Sequence, residues 1–172
     1  MKILITGASR HGSTREIADA IAEELRTTGL AADVRDAASV TSLDGYDAVF
    51  IGSAIYMGGW MPEARHLIDR CETPLRERAV WLFSSGPLGN DDPQPAGEPA
   101  QIAEILQRTN ARQHQVFAGK LDRDALGFGE RMIARMVHAP DGDFRDWDAI
   151  RDWARQIAKA LNAMSPTPAI DL

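Results

Sequence analysis

Residues Ile3-Leu4-Ile5-Thr6-Gly7-Ala8-Ser9-Arg10-His11-Gly12-Ser13-Thr14 run from an apolar segment through a polar turn into a helical pattern that begins near Ser13. An apolar strand, a tight turn and a helix start form the arrangement in which an α/β protein cradles a phosphate. The N–H groups left free at a helix N-terminus point outward, and the helix dipole adds roughly half a positive charge there. Ser9, Ser13 and Thr14 bring hydroxyl donors without a fixed charge, Arg10 and His11 lie within the turn itself, and Gly12 lets the backbone approach closely. A second reading uses the same residues. Ser13 and Glu16 have the S-x-x-E spacing of a capping box, which closes a helix with no ligand at all. Both can hold together, since a cap and an anion use the same helix end.

The pattern repeats outward from this turn. Apolar runs predict strands at Lys2–Ala8, Ala32–Asp36, Ala48–Ser53, Ala79–Ser84 and Gln113–Ala118. Ile3-Leu4-Ile5, Val49-Phe50-Ile51 and Val80-Trp81-Leu82-Phe83 are continuous, as befits strands of a parallel sheet covered on both faces. Helical stripes fall between them: Ile17, Ile21 and Leu25; then Ala64, Leu67, Ile68 and Cys71, with Pro62 suited to the first turn; then Ile102, Ile105 and Leu106. Two more follow the fifth strand. One is Met132, Ile133, Met136 and Val137, expected to be an ordinary core face; the other runs from Trp147 to Leu161, with Asp146 as N-cap.

Strands and helices in alternation give an α/β fold with a doubly wound, five-stranded parallel sheet. A chain of 172 residues suits the flavodoxin-like order 2-1-3-4-5 better than a six-stranded dinucleotide fold. Ligands of such sheets bind beyond the carboxyl ends of the strands, beside strand 1. Three loops meet there: Ser9–Thr14, then Ser53-Ala54-Ile55-Tyr56-Met57-Gly58-Gly59-Trp60, then Ser84-Ser85-Gly86-Pro87-Leu88-Gly89. A phosphate, a flat ring between apolar loop residues and backbone contacts to the ring's polar edge would occupy all three, which is the shape of flavin mononucleotide (FMN).

Two other nucleotide readings lose on chemistry. Gly7 to Thr14 comes within one residue of a P-loop, but Ser13 stands where the lysine would meet the β- and γ-phosphates. Thr6-Gly7-Ala8-Ser9-Arg10 opens like a short-chain dehydrogenase, but His11 and Ser13 replace glycines, and no Tyr-x-x-x-Lys pair is present. A T/S-x-x-G-x-T loop with hydroxyls and no lysine suits a single terminal phosphomonoester.

Beyond that loop, Ser9–Ala18, Ile51-Gly52-Ser53-Ala54-Ile55-Tyr56, Ala118-Gly119-Lys120-Leu121 and Asp146-Trp147-Asp148-Ala149-Ile150 together resemble the flavodoxin-domain family. That family includes the menaquinone-dependent protoporphyrinogen IX dehydrogenases, and the similarity spans nearly the whole chain. The resemblance implies a noncovalent FMN and redox chemistry carried by the flavin, with no side chain required as catalyst. It implies Ser9, Arg10, His11, Gly12, Ser13 and Thr14 at the phosphate. It implies Ser53, Ala54, Ile55, Tyr56, Met57 and Gly58, with Ser84, Ser85, Gly86, Pro87, Leu88 and Gly89, beside the ring. A quinone or a redox partner protein, and a small-molecule substrate, are the expected partners. An electron carrier between proteins is the alternative. Charge departs from the quinone-linked enzymes: residues 86–99 hold Asp91, Asp92 and Glu98 with no Lys or Arg, which would repel porphyrin propionates.

The composition bounds the rest. Apolar content of 44% and charged content of 26% describe an ordinary globular domain. We expect it over residues 1–163, with a tail at 164–172 that frays and a lid or surface loop at 86–99. A net charge of −6 argues against nucleic acid and anionic membranes as broad partners. No run approaches the ~20 apolar residues of a membrane span. A single cysteine, Cys71, on an apolar stripe, points to a buried thiol and a cytoplasmic protein. Tyr56 and Trp60 are candidates to cover the ring, Trp60 being the more core-like. His66, His114 and His138 show no ligand spacing.

Overall fold

In a computed structural model, the described residues are 1–56, 58–86, 101–122, 124, 126–136 and 141–164. Strands β1 (Lys2–Ala8), β2 (Ala31–Asp36), β3 (Ala48–Tyr56), β5 (Ala79–Ser85) and β6 (Gln113–Phe117) form one sheet, with β4 (Gly59–Trp60) folded back on β3. The sheet order is β2-β1-β3-β5-β6 and every pair in it is parallel. Counted without β4, whose two residues pair antiparallel with Ile55 and Tyr56, this is the order 2-1-3-4-5. A separate antiparallel ribbon joins β7 (Lys120–Leu121) to β8 (Gly142–Asp143).

Period-2 geometry sorts the continuous apolar runs between the two faces. Ile3, Ile5, Phe50, Trp81 and Phe83 pack against helices α1 (Ser13–Thr27) and α5 (Trp147–Met164). Leu4, Val49, Ile51, Val80 and Leu82 turn the other way, onto α2 (Pro62–Arg76) and α3 (Ile102–Thr109). Pro62 opens α2, and the Asp146 carboxylate accepts from the Ala149 N–H at 2.9 Å, capping α5. One aromatic cluster ties α5 to the sheet: Trp153 meets Phe50 edge-on at 5.7 Å and Phe117 at 5.6 Å.

Two expectations change, and the more core-like reading of Trp60 holds. β3 extends three residues past Ser53, because pairing with β4 keeps Ser53–Tyr56 extended where a loop was expected. Helix α4 (Phe128–Met136) does not bury Met132, which is 54% exposed; its inward residue is Ala134. The side chains of Ile133 and Met136, and all of Val137, lie outside the described residues, as do the expected lid at 87–99 and the tail from 165. Trp60 is buried in the α2-side core and its Nε1–H donates to Ser84 Oγ at 2.8 Å, so it is a packing residue and not a ring cover.

Gly52 shows how tightly the sheet centre is filled, since a Cβ there would lie 2.0 Å from the Phe83 ring. Replacing Gly52 with Ala should therefore lower unfolding stability by about 1–3 kcal/mol through overpacking. A urea melt checks this, and an unchanged midpoint would mean that Phe83 moves aside freely.

Candidate functional site

At the carboxyl end of the sheet lies a cavity of about 570 Å³, a volume within the ~300–1,000 Å³ usual for small-molecule sites. The loop after β1 supplies Ser9, Arg10, His11, Ser13 and Thr14 to its wall. The end of β3 supplies Ala54, Ile55 and Tyr56, and the end of β5 supplies Ser85 and Gly86. Met61, Leu121, Leu126 and Ala134 complete an apolar side, while Gly119, Lys120 and Glu130 were not anticipated from the sequence.

Four expected residues serve elsewhere. Ser53 Oγ accepts from the Met61 N–H at 2.8 Å and donates to the Ala54 carbonyl, bracing the β3–β4 hairpin. Ser84 is fully buried and shares a 2.8 Å hydrogen bond with His114 Nε2 besides accepting from Trp60. Gly58, at φ 78°, makes the hairpin turn, and Gly12, at φ 83°, is the N-cap of α1. Gly12 is required by its left-handed backbone and not by crowding, since a Cβ there would meet nothing within 4 Å. Met57, Pro87, Leu88 and Gly89 lie outside the described residues.

The start of α1 tests the capping reading of its sequence. Gly12, and not Ser13, is the N-cap, and no side-chain cap bond forms there. The capping box therefore fails; Glu16 instead pairs with Arg145, its Oε2 2.7 Å from Nη1. Ser9 Oγ accepts from the Thr14 N–H at 3.3 Å. Ser13 Oγ and Thr14 Oγ1 are both buried without a hydrogen-bond partner, and both residues line the cavity. A buried hydroxyl left unpaired costs about 1–3 kcal/mol, so two neighbouring orphans at a helix N-terminus are an uncommon arrangement.

The two basic side chains of the loop are already engaged. Glu130 Oε1 lies 2.9 Å from Arg10 Nε and 3.3 Å from His11 Nε2, and its Oε2 accepts from the Gly127 N–H at 3.0 Å. The Gly127 N–H, with His11 and Arg10, holds the Glu130 carboxyl below its ordinary value. Arg10 also stacks on the Tyr56 ring at 5.2 Å. Tyr56, Arg10, Glu130 and His11 thus link three walls of the cavity. Sequence reasoning missed Glu130 because it stands 119 residues from His11; its one local signal is the three-residue step from Gly127, which matches a helix start. Cys71 is buried, and desolvation raises its thiol pKa against the opposing charges of Arg70 and Arg78.

Residues 4–148 match the family model described as Flavodoxin domain. The chain belongs to the flavodoxin domain family. It is 25% identical to protoporphyrinogen IX dehydrogenase (quinone) of Escherichia coli strain K12, over 92% of this chain and 95% of that one. Solved structures share the fold at lower identity. An oxidised flavodoxin 2 from Bacillus cereus matches with TM-score 0.63 and 23% identity, covering 94% of this chain and 99% of that one. A flavodoxin from the domain Archaea matches with TM-score 0.62 and 16% identity over the same shares of the two chains, 94% and 99%. Among the described residues, no helix is long and apolar enough to cross a membrane, and no group of three His, Cys, Asp or Glu side chains could hold a metal.

The Glu130 clasp has a pH signature. Its folded pKa is lowered from 4.5, so its stabilisation is complete above that ordinary value and disappears as pH falls through the lower folded value. Glu130→Gln should therefore be less stable than the parent at pH 7, with the gap closing in increasingly acid buffer. Denaturant melts of both proteins across this range test the sign, and a gap that widens in acid would contradict it.

Proposed function

We propose that this protein is an FMN-dependent oxidoreductase that oxidises a small molecule and passes the electrons to a quinone. The observation that carries the flavin half of this reading is the pair of unpartnered, buried hydroxyls of Ser13 and Thr14 at the mouth of α1. A phosphomonoester offers three acceptor oxygens, enough for both hydroxyls and for the free N–H groups of the first helical turn. The loop carries no lysine, which favours one terminal phosphate over a triphosphate. Ser9, Arg10, His11 and Gly12 shape the rest of that cradle.

Bound FMN would supply the one- and two-electron chemistry of its ring. The protein's share is to hold and shield it. Ala54, Ile55 and Tyr56, with Ser85 and Gly86 at the adjoining strand end, would border the ring. Tyr56 is 37% exposed, leaving an aromatic edge at the opening for an incoming partner. The expected contributions of Ser53 and Ser84 reduce to holding these walls in place. Met61, Leu121, Leu126 and Ala134 keep water from the apolar end of the cavity. The quinone and the porphyrinogen-type substrate are suggested by the Escherichia coli relative, whose alignment covers nearly all of both chains.

A second reading, an electron carrier serving other proteins, draws on the flavodoxins among the structural matches and on the net charge of −6, which would suit basic partners. Turnover separates the two: an enzyme consumes a porphyrinogen with menaquinone alone, whereas a carrier needs a reductase and an acceptor protein.

Thr14→Val keeps the shape of the side chain and removes Oγ1, which has no partner inside the protein to lose. The apoprotein should fold as before, while FMN binding weakens roughly tenfold or more, as expected for one hydrogen bond to a charged group. Flavin fluorescence quenching measures the change. Equal affinity in the variant would remove the phosphate assignment.

A further inference from the structure

Arg145 is the least exposed charged side chain of the site region, 2% accessible, and nothing in the phosphate reading explains it. Four of its five N–H groups are engaged. Nη1 donates to the Ser13 carbonyl at 3.2 Å and meets Glu16 Oε2 at 2.7 Å. Nε and Nη2 donate to the two oxygens of Asp143 at 2.8 and 2.6 Å, a bidentate pair. The Trp147 ring lies 4.4 Å from the guanidinium carbon.

These contacts join three separate pieces of chain. Ser13 and Glu16 belong to the first turn of α1, which carries the orphan hydroxyls. Asp143 pairs in β8 with Lys120 of β7, a residue of the cavity wall. Trp147 is the first residue of α5. Among the described residues, the backbone carbonyl Arg145 reaches is that of Ser13, the residue whose own hydroxyl is buried and unpaired. Two carboxylates face one guanidinium, so the cluster brings no net positive charge toward an anion. Its effect is geometric: it fixes the pitch of the first turn, and with it the directions of Ser13 Oγ, Thr14 Oγ1 and the free amides.

We propose that Arg145 is the positioning residue of the phosphate cradle, acting through Ser13 and Glu16 and without touching the ligand. This rests on the phosphate reading of the α1 start. It assigns the buried guanidinium to affinity for the phosphate end of the ligand in particular, and not to the ring end or to folding alone. A planar, five-donor fork is needed to hold a carbonyl and two carboxylates together, so lysine cannot replace it.

Apoprotein titrated separately with FMN and with riboflavin, which lacks the phosphate, tests this in the parent, Arg145→Lys and Glu16→Gln. The parent should prefer FMN strongly. In Arg145→Lys, FMN affinity should fall roughly tenfold while riboflavin affinity stays within about twofold. Glu16→Gln, which removes one arm from a half-exposed carboxylate, should show a smaller fall of the same selectivity. If Arg145→Lys fails to fold, Glu16→Gln decides by itself. An unchanged FMN-to-riboflavin ratio in the folded variants, or parallel loss of both ligands, overturns the positioning role. A parent that binds riboflavin as tightly as FMN instead overturns the phosphate reading beneath it.

Discussion

A parallel sheet buried on both faces leaves little room for polar side chains along its central strands, so polarity collects where those strands end. In this protein Ile3, Leu4 and Ile5 are fully buried, two toward α1 and α5 and one toward α2. The chain must leave the sheet between Ala8 and Ser13 and enter a helix at once. The amides of that first turn cannot bond within the helix. The site is a consequence of the fold before it is a consequence of any functional residue: β1 lies between β2 and β3, whose connections diverge, and the crevice opens there.

What this chain adds is restraint in filling that crevice. Capping by Ser13 would have satisfied a backbone donor and closed the helix end. Gly12 takes the cap position instead, and the Ser13 and Thr14 hydroxyls remain inside without partners. Such an arrangement is unfavourable in isolation. It persists because the surroundings fix it from several sides: Ser9 Oγ on the Thr14 amide, the Arg145 guanidinium on the Ser13 carbonyl, and β1 beneath. Unsatisfied polarity held by well-packed neighbours is the mark of preorganisation for a ligand.

The strands and helices were legible because their period is local. Each apolar run in the sequence became a strand within three residues at either end, and the sheet order followed from right-handed crossovers. The site was half legible for the same reason. Residues 9–14 sit on one turn and announce themselves by type and spacing. The elements that failed are those set by distant contacts. Ser53 and Ser84 stand at strand ends, where side chains alternate, and they point into the α2-side core toward Met61, Trp60 and His114. The β7–β8 ribbon has two residues per strand, too few for any pattern to show. Glu130 and Arg145 reach the loop from the last third of the chain, where their neighbours in sequence give no hint of their partners.

Glu130 and Arg145 also divide the electrostatics around the cradle. Arg145 faces two carboxylates behind the helix start, and Glu130 engages both Arg10 and His11 in front of it. Arg10, His11 and Arg145 are thus each matched by a carboxylate within the protein, while Lys120 stands on the cavity wall. What the helix start itself offers an anion is uncharged: amides, hydroxyls and the dipole of a fifteen-residue helix. A site of this kind depends on direction more than on net charge, so it is less weakened by salt than an arginine cluster would be. It also discriminates by shape, because one tetrahedral group can meet the first-turn donors together while a planar carboxylate cannot. The matched charges keep the loop from attracting anions at large, which leaves geometry as the basis of selection.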